Sequence, residues 1–310
     1  MHMNWRLLAA GACALAALHA PAVAGPLKDR IAERMAQRGD RDAQADEGAR
    51  SGLTVPDGTR VMRDVAYGSL RDQRMDVYIP SGAKVAPVLF LVHGGGWRRG
   101  DKSHGRLVQN KLTHWLPAGV IIVSVNYRML PEADVPTQRD DVLAALAAVL
   151  ARAHEWGGDA SRVVLMGHSA GAHLVALVAA APRDARIAQP WLGTVLLDSG
   201  ALDVERLMNE RHHRLFDDAF GKDPAFWTAT SPVRQLKATT APWLAVCSSK
   251  RRQACDQVEV FARQVSATGG RIEELPLALS HGDINETLGL PGAYTERVDR
   301  FLLDIGALRK

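Results

Sequence analysis

The chain has 310 residues, 47% hydrophobic and 23% charged, which supplies ample core material and excludes a disordered polyelectrolyte. Its formal charge of +4 is spread thinly, with no block of five or more like charges to mark a nucleic-acid or membrane patch, so neither partner is expected. No Cys/His cluster has the spacing of a zinc site.

The N-terminus departs from globular patterning. Arg6 precedes an apolar run over residues 7–18, and Ala22-Val23-Ala24 stands just before Gly25. A positive start, a short apolar stretch and small residues at −3 and −1 read as a signal peptide over 1–24. The run is short for a permanent membrane span. Export to the periplasm or the medium is therefore expected, with no stable membrane insertion after cleavage. Residues 25–55 form a polar N-terminal segment, in which Leu27, Ile31 and Met35 suggest a short amphipathic helix and 39–51 reads as a linker.

From residue 56 to 310 the pattern is that of one domain. Residues 61–66 and 73–79 read as strands joined by a polar turn, a hairpin at a sheet edge. Continuous apolar runs follow at 88–92, 120–125, 163–166, 194–197, 243–247 and 272–275. Unbroken rather than alternating runs predict strands covered on both faces, as in a parallel sheet. Helical stretches fall between them at 137–156, 172–181, 257–267 and 293–308, the first with Pro136 near its start and Gly157-Gly158 at its end. Strand then helix, repeated, predicts a wound α/β sheet. The stretch between Leu197 and Trp243, with Phe216, Phe220, Phe226 and Trp227, reads as a small lid over the strand ends.

With the leader removed, Cys247 and Cys255 are the two remaining cysteines. In an oxidising compartment they are expected to pair, the alternative being two buried thiols.

Gly167-His168-Ser169-Ala170-Gly171 lies between a buried strand and a helix. A serine on so tight a turn is pushed out above the sheet, and small residues two positions either side let the turn form. Ser169 is therefore the candidate nucleophile. His93-Gly94-Gly95-Gly96-Trp97 follows the 88–92 strand, and its glycines leave backbone N–H groups bare. Gly95, Gly96 and the amide of Ala170 are the candidate oxyanion donors. His93 reads as a structural hydrogen-bonder of that loop.

These motifs, with Asn126-Tyr127-Arg128, Pro131-Glu132-Ala133 and Ser280-His281-Gly282-Asp283, resemble the α/β-hydrolase superfamily, esterase/lipase group, over about residues 60–308. Within it the likeness is to hormone-sensitive-lipase-like and arylformamidase-like enzymes. The resemblance implies a mostly parallel eight-stranded sheet flanked by helices, and ester or amide hydrolysis with no metal or organic cofactor. It also implies that the base comes last, after the final strand, which selects His281 from eleven histidines. His212, His213 and His168 are poorly placed.

The acid departs from that pattern. Its usual position, after the 243–247 strand, falls on Lys250 or Arg251. Asp198, at the end of the 194–197 strand, is the first choice to replace it. Asp256 is an alternative that also reads as the N-cap of a helix starting at Gln257, and Asp203 is a third. An absent acid would leave a non-catalytic binding scaffold. Asn126-Tyr127-Arg128 is expected to brace the glycine loop, Asp140 or Asp141 to hydrogen-bond it or simply to mark a helix start, and Trp97 to wall a pocket or pack the loop. The reading is an exported serine hydrolase acting on small-molecule carboxylic esters, with an amidase, peptidase or acyltransferase as the rival chemistries.

Overall fold

The computed structural model describes residues 52–180, 187, 191–238 and 241–309. The leader and nearly all of the 25–55 segment lie outside the described residues. Eight strands form one sheet: β1 (Arg60–Ala66), β2 (Arg74–Ile79), β3 (Ala86–Val92), β4 (Ile121–Val125), β5 (Gly158–His168), β6 (Gly193–Leu197), β7 (Trp243–Ser248) and β8 (Ile272–Leu277). Their order is β1-β2-β4-β3-β5-β6-β7-β8. β2 runs antiparallel to both its neighbours, and every pairing from β4 to β8 is parallel. This is the α/β-hydrolase fold.

The unbroken apolar runs are explained by burial on both faces. In β3, Val88, Phe90 and Val92 join one core while Leu89 and Leu91 join the other. The first core is closed by α2 (Val135–Arg152), α3 (Ala170–Ala180) and α8 (Arg252–Ala267); the second by α1 (Gly105–Trp115), α9 (His281–Glu286) and α10 (Ala293–Asp304). Parallel strands need such crossovers, and the helices they supply cover the sheet.

The long 137–156 helix expected from sequence is α2, which starts two residues earlier. Asp134 caps it by accepting from the Thr137 N–H, and Pro136 sits in the first turn, where its missing N–H costs nothing. Its last turn, Ala153–Trp156, tightens to 3₁₀ and ends on Gly157 in a left-handed conformation. The excursion after β6 folds as four short helices: α4 (Val204–Asn209), α5 (Arg214–Phe220), α6 (Pro224–Ala229) and α7 (Pro232–Gln235). The sequence did not show those four short helices as helices, and outside the excursion it also missed α1 and α9. Among the described residues no helix is long and apolar enough to cross a membrane.

Candidate active site

β5 ends at His168 and α3 begins at Ala170, so the whole strand-to-helix turn is Ser169, at φ 56°. The flanking glycines are compulsory. A Cβ on Gly167 would stand 2.4 Å from the Gly171 carbonyl oxygen, and one on Gly171 would stand 2.3 Å from Val92 O and 2.4 Å from His93 O. Trp97 (φ 60°) and Asp198 (φ 56°) share the positive-φ backbone, which ordinary side chains adopt only where the surroundings enforce it. Of the five such non-glycine residues among those described, Ser169 and Asp198 directly follow the carboxyl ends of β5 and β6.

Ser169 Oγ lies 3.0 Å from His281 Nε2, and His281 Nδ1 lies 2.6 Å from Asp198 Oδ2. Three residues from three segments thus form one hydrogen-bonded chain. The Asp198 N–H donates to Val246 O and the Ser169 N–H to Leu197 O, so both residues extend the sheet ladder by one step. Asp198 is fully buried. Burial pushes its carboxyl up, but the hydrogen bond from His281, the Arg251 charge and the Ser248 N–H outweigh burial and hold it down at about 2. A carboxylate this close to Nδ1 requires a hydrogen between them, which leaves Nε2 free to accept from the serine hydroxyl. Such a chain can take the hydroxyl proton and balance the imidazolium that results.

Arg251, one of the two residues on which the resemblance places the acid, reaches the acid instead. Its Nη1 donates to Asp198 Oδ2 at 2.5 Å and lies 2.7 Å from His281 Nδ1. Asp256 is not at the site: α8 begins at Arg252, which puts Asp256 inside the helix rather than at its N-cap. The helix starts early because the turn after β7 closes at once, Arg251 N–H donating to Ser248 O. Asp203 is an N-cap, accepting from the Arg206 N–H at the start of α4. Cys247 and Cys255 form a disulfide.

His168 is outside the hydrogen-bonded chain, but it has a role at the site. Burial and the nearby His281 push its imidazole well below the usual histidine range, so it is neutral and donates from Nε2 to the His281 carbonyl at 3.0 Å. Gly94 packs directly on the turn: a Cβ there would lie 3.0 Å from Ser169 Cβ. Among the described residues, the N–H groups of Gly95, Gly96 and Ala170 donate to no backbone carbonyl. The glycine loop is braced as expected, with Tyr127 Oη donating to His93 O at 3.0 Å and its ring stacked on the His93 imidazole at 4.4 Å. Asp141 anchors Arg128, through its N–H, Nε and Nη2, rather than the glycine loop. Asp140 pairs with Arg139.

One buried link was missed in the sequence. Trp97 Nε1 donates to His173 Nδ1 at 3.1 Å, and His173 Nε2 donates to Thr230 O at 2.8 Å. The glycine loop, α3 and the excursion are pinned together at this point. Phe220 packs 4.9 Å from Trp97, Phe216 5.9 Å from it, and Leu215 fills the space where a Gly96 side chain would sit. His173 is four residues after Ser169, one helical turn on, and that spacing was the available signal.

The BD-FAE family model matches residues 75–254. A probable isoprenylcysteine alpha-carbonyl methylesterase from Oryza sativa subsp. japonica is 32% identical over 163 residues, 50% of this chain and 39% of the relative. This chain thus spans well under half the length of that relative. A kynurenine formamidase from Danio rerio is 26% identical over 234 residues, 74% of each chain. Among solved structures, esterase B from Lactobacillus Rhamnosis superposes with a TM-score of 0.69 at 18% identity, over 90% of this chain and 96% of the other.

Proposed function

The chain belongs to the BD-FAE family, and from that premise we propose that it is a serine hydrolase cleaving carboxylic esters through an acyl-enzyme. The hydrogen-bonded chain Ser169–His281–Asp198 carries the reading. Ser169 Oγ attacks the ester carbonyl as His281 Nε2 takes its proton, and the N–H groups of Gly95, Gly96 and Ala170 receive the oxyanion. His281 then returns the proton to the leaving alcohol. In the second half a water gives its proton to Nε2 and attacks the acyl carbonyl; Nε2 then passes that proton to Ser169 Oγ as the acyl–oxygen bond breaks, releasing the acid and restoring the serine hydroxyl. Asp198 stays ionised throughout.

Amide or formamide hydrolysis is the second reading, supported by the formamidase match over 74% of each chain. Turnover of p-nitrophenyl esters against N-formyl anilines separates the two. The expected result is ester turnover that Ser169→Ala abolishes. A preference for the formamides by tenfold or more replaces the ester reading with the second.

Residues 1–24 are proposed as an export signal. The Cys247–Cys255 disulfide supports this, because such bonds persist in oxidising compartments. N-terminal sequencing of the mature protein is expected to begin at Gly25; a retained Met1 refutes it.

A further inference from the structure

We propose that Arg251 is a positioning residue that shares the Asp198 carboxylate with His281 and thereby lowers the proton affinity of the catalytic base; the inference rests on the serine-hydrolase reading above. Asp198 Oδ2 receives two donors, His281 Nδ1–H and Arg251 Nη1–H, while Oδ1 receives the Ser248 N–H. The two nitrogens on Oδ2 stand 2.7 Å apart, so a guanidinium charge lies against the ring that must become an imidazolium. In a triad whose carboxylate faces only its histidine, the anion stabilises that cation undivided. Here the same oxygen also faces the Arg251 guanidinium.

The local backbone builds this arrangement deliberately. Arg251 ends a turn closed by its own N–H on Ser248 O, and the guanidinium then runs back over Gly200, where a Cβ would stand 3.6 Å from Nη2. The disulfide joins Cys247 and Cys255, so Ser248 and Arg251, both donors to Asp198, lie within the segment it closes. The loop on which the resemblance places an acid, at Lys250 or Arg251, thus supplies a cation that holds an acid one strand over.

The other charged or titratable groups around His281 do not duplicate Arg251. His168 lies tilted against the ring, 4.5 Å between centroids, and is neutral. Lys111 from α1 is buried on the Asn285 carbonyl and side chain, at the far end of α9. Asp283 in α9 turns back to cap Ser280, Lys250 lies beside Asp283, and Tyr294 of α10 donates to Ile284 O.

The test is a nitrogen-15 NMR titration of the His281 imidazole in the full chain, alongside the pH dependence of Ser169 inactivation by a fluorophosphonate. In Arg251→Met the His281 midpoint is expected about one pH unit higher than in wild type, a tenfold gain in proton affinity. The acidic limb of inactivation should move with it. Arg251→Lys, which keeps the charge, should stay near wild type. If Arg251→Met fails to fold, Arg251→Gln makes the same comparison with a neutral polar side chain. An unchanged or lower midpoint overturns the proposal, as does a shift in Arg251→Lys equal to that of the neutral variant. If the midpoint moves but wild-type Ser169 never reacts, the serine-hydrolase reading fails and the electrostatic role of Arg251 stands.

Discussion

Ser248 donates its backbone N–H to Asp198 Oδ1 at 2.8 Å, so the end of β7 serves an acid carried by β6. The acid stands one strand from where the resemblance places it, and the loop at the expected place is its hydrogen-bonding partner. That arrangement fixes what should happen when the carboxylate is removed.

Asp198→Asn should lower kcat by about 10²–10⁴-fold, because an amide can neither hold the Nδ1–H tautomer nor balance the imidazolium. It should also change acid stability. The folded carboxyl is held at about 2, below its unfolded value, so it stabilises the fold above pH about 4 and that contribution is lost as pH falls to about 2. The size is about 2 kcal/mol. Urea denaturation between pH 2 and 5 should show a shallower slope in the variant; parallel slopes would contradict the assignment.

His173 gives a second pH signature in a higher window. Burial outweighs its hydrogen bond to Thr230 O and lowers it to about 4. The unfolded chain binds this proton first, so stability is complete above pH 6.5 and declines as pH falls towards 4, by about 3 kcal/mol. His173→Gln retains a donor and an acceptor but does not titrate, and should flatten that part of the profile by a similar amount. Equal declines in both proteins would show that His173 is not the group responsible.

Much of this was legible in the sequence because covalent constraints leave local marks. The strands appeared as unbroken apolar runs, and the Ser169 turn announced itself through Gly167 and Gly171, whose backbones admit no side chain. Ser169 and His281 could be placed in order, but the acid stayed open between Asp198, Asp256, Asp203 and none at all. α1 stayed hidden because Lys111 and polar residues interrupt its apolar face, and Lys111 is buried only through Asn285, 174 positions away. α9 is six residues long, too short for periodicity to show. Arg251 was misjudged in kind: a cation at the acid's position looked like a defect until its partner on the neighbouring strand was seen.

The disulfide closes a short loop at the site. Replacing both Cys247 and Cys255 by Ser should cost about 2–3 kcal/mol from loop entropy. Because Ser248 and Arg251 lie within that loop, ester turnover should fall as well, while Ser169 remains reactive. Thermal unfolding with and without a reductant checks the first part; an unchanged melting temperature would contradict it.

Backbone strain at Ser169 predicts a gain in stability from losing the side chain. At φ 56° glycine carries no steric penalty, so Ser169→Gly should be about 1 kcal/mol more stable than Ser169→Ala while both are inactive. Chemical denaturation of the two variants side by side measures the difference, and a glycine variant less stable than the alanine would refute the strain.

The most direct test of the serine-hydrolase account is to trap the intermediate. A p-nitrophenyl ester mixed with the full chain, quenched in acid within its first turnovers and digested, should give one peptide heavier by the acyl group, with the addition on Ser169. Ser169→Ala should give none, and His281→Ala should accumulate it far more slowly. An acyl group on any other residue, or ester turnover that persists in Ser169→Ala, would contradict the account.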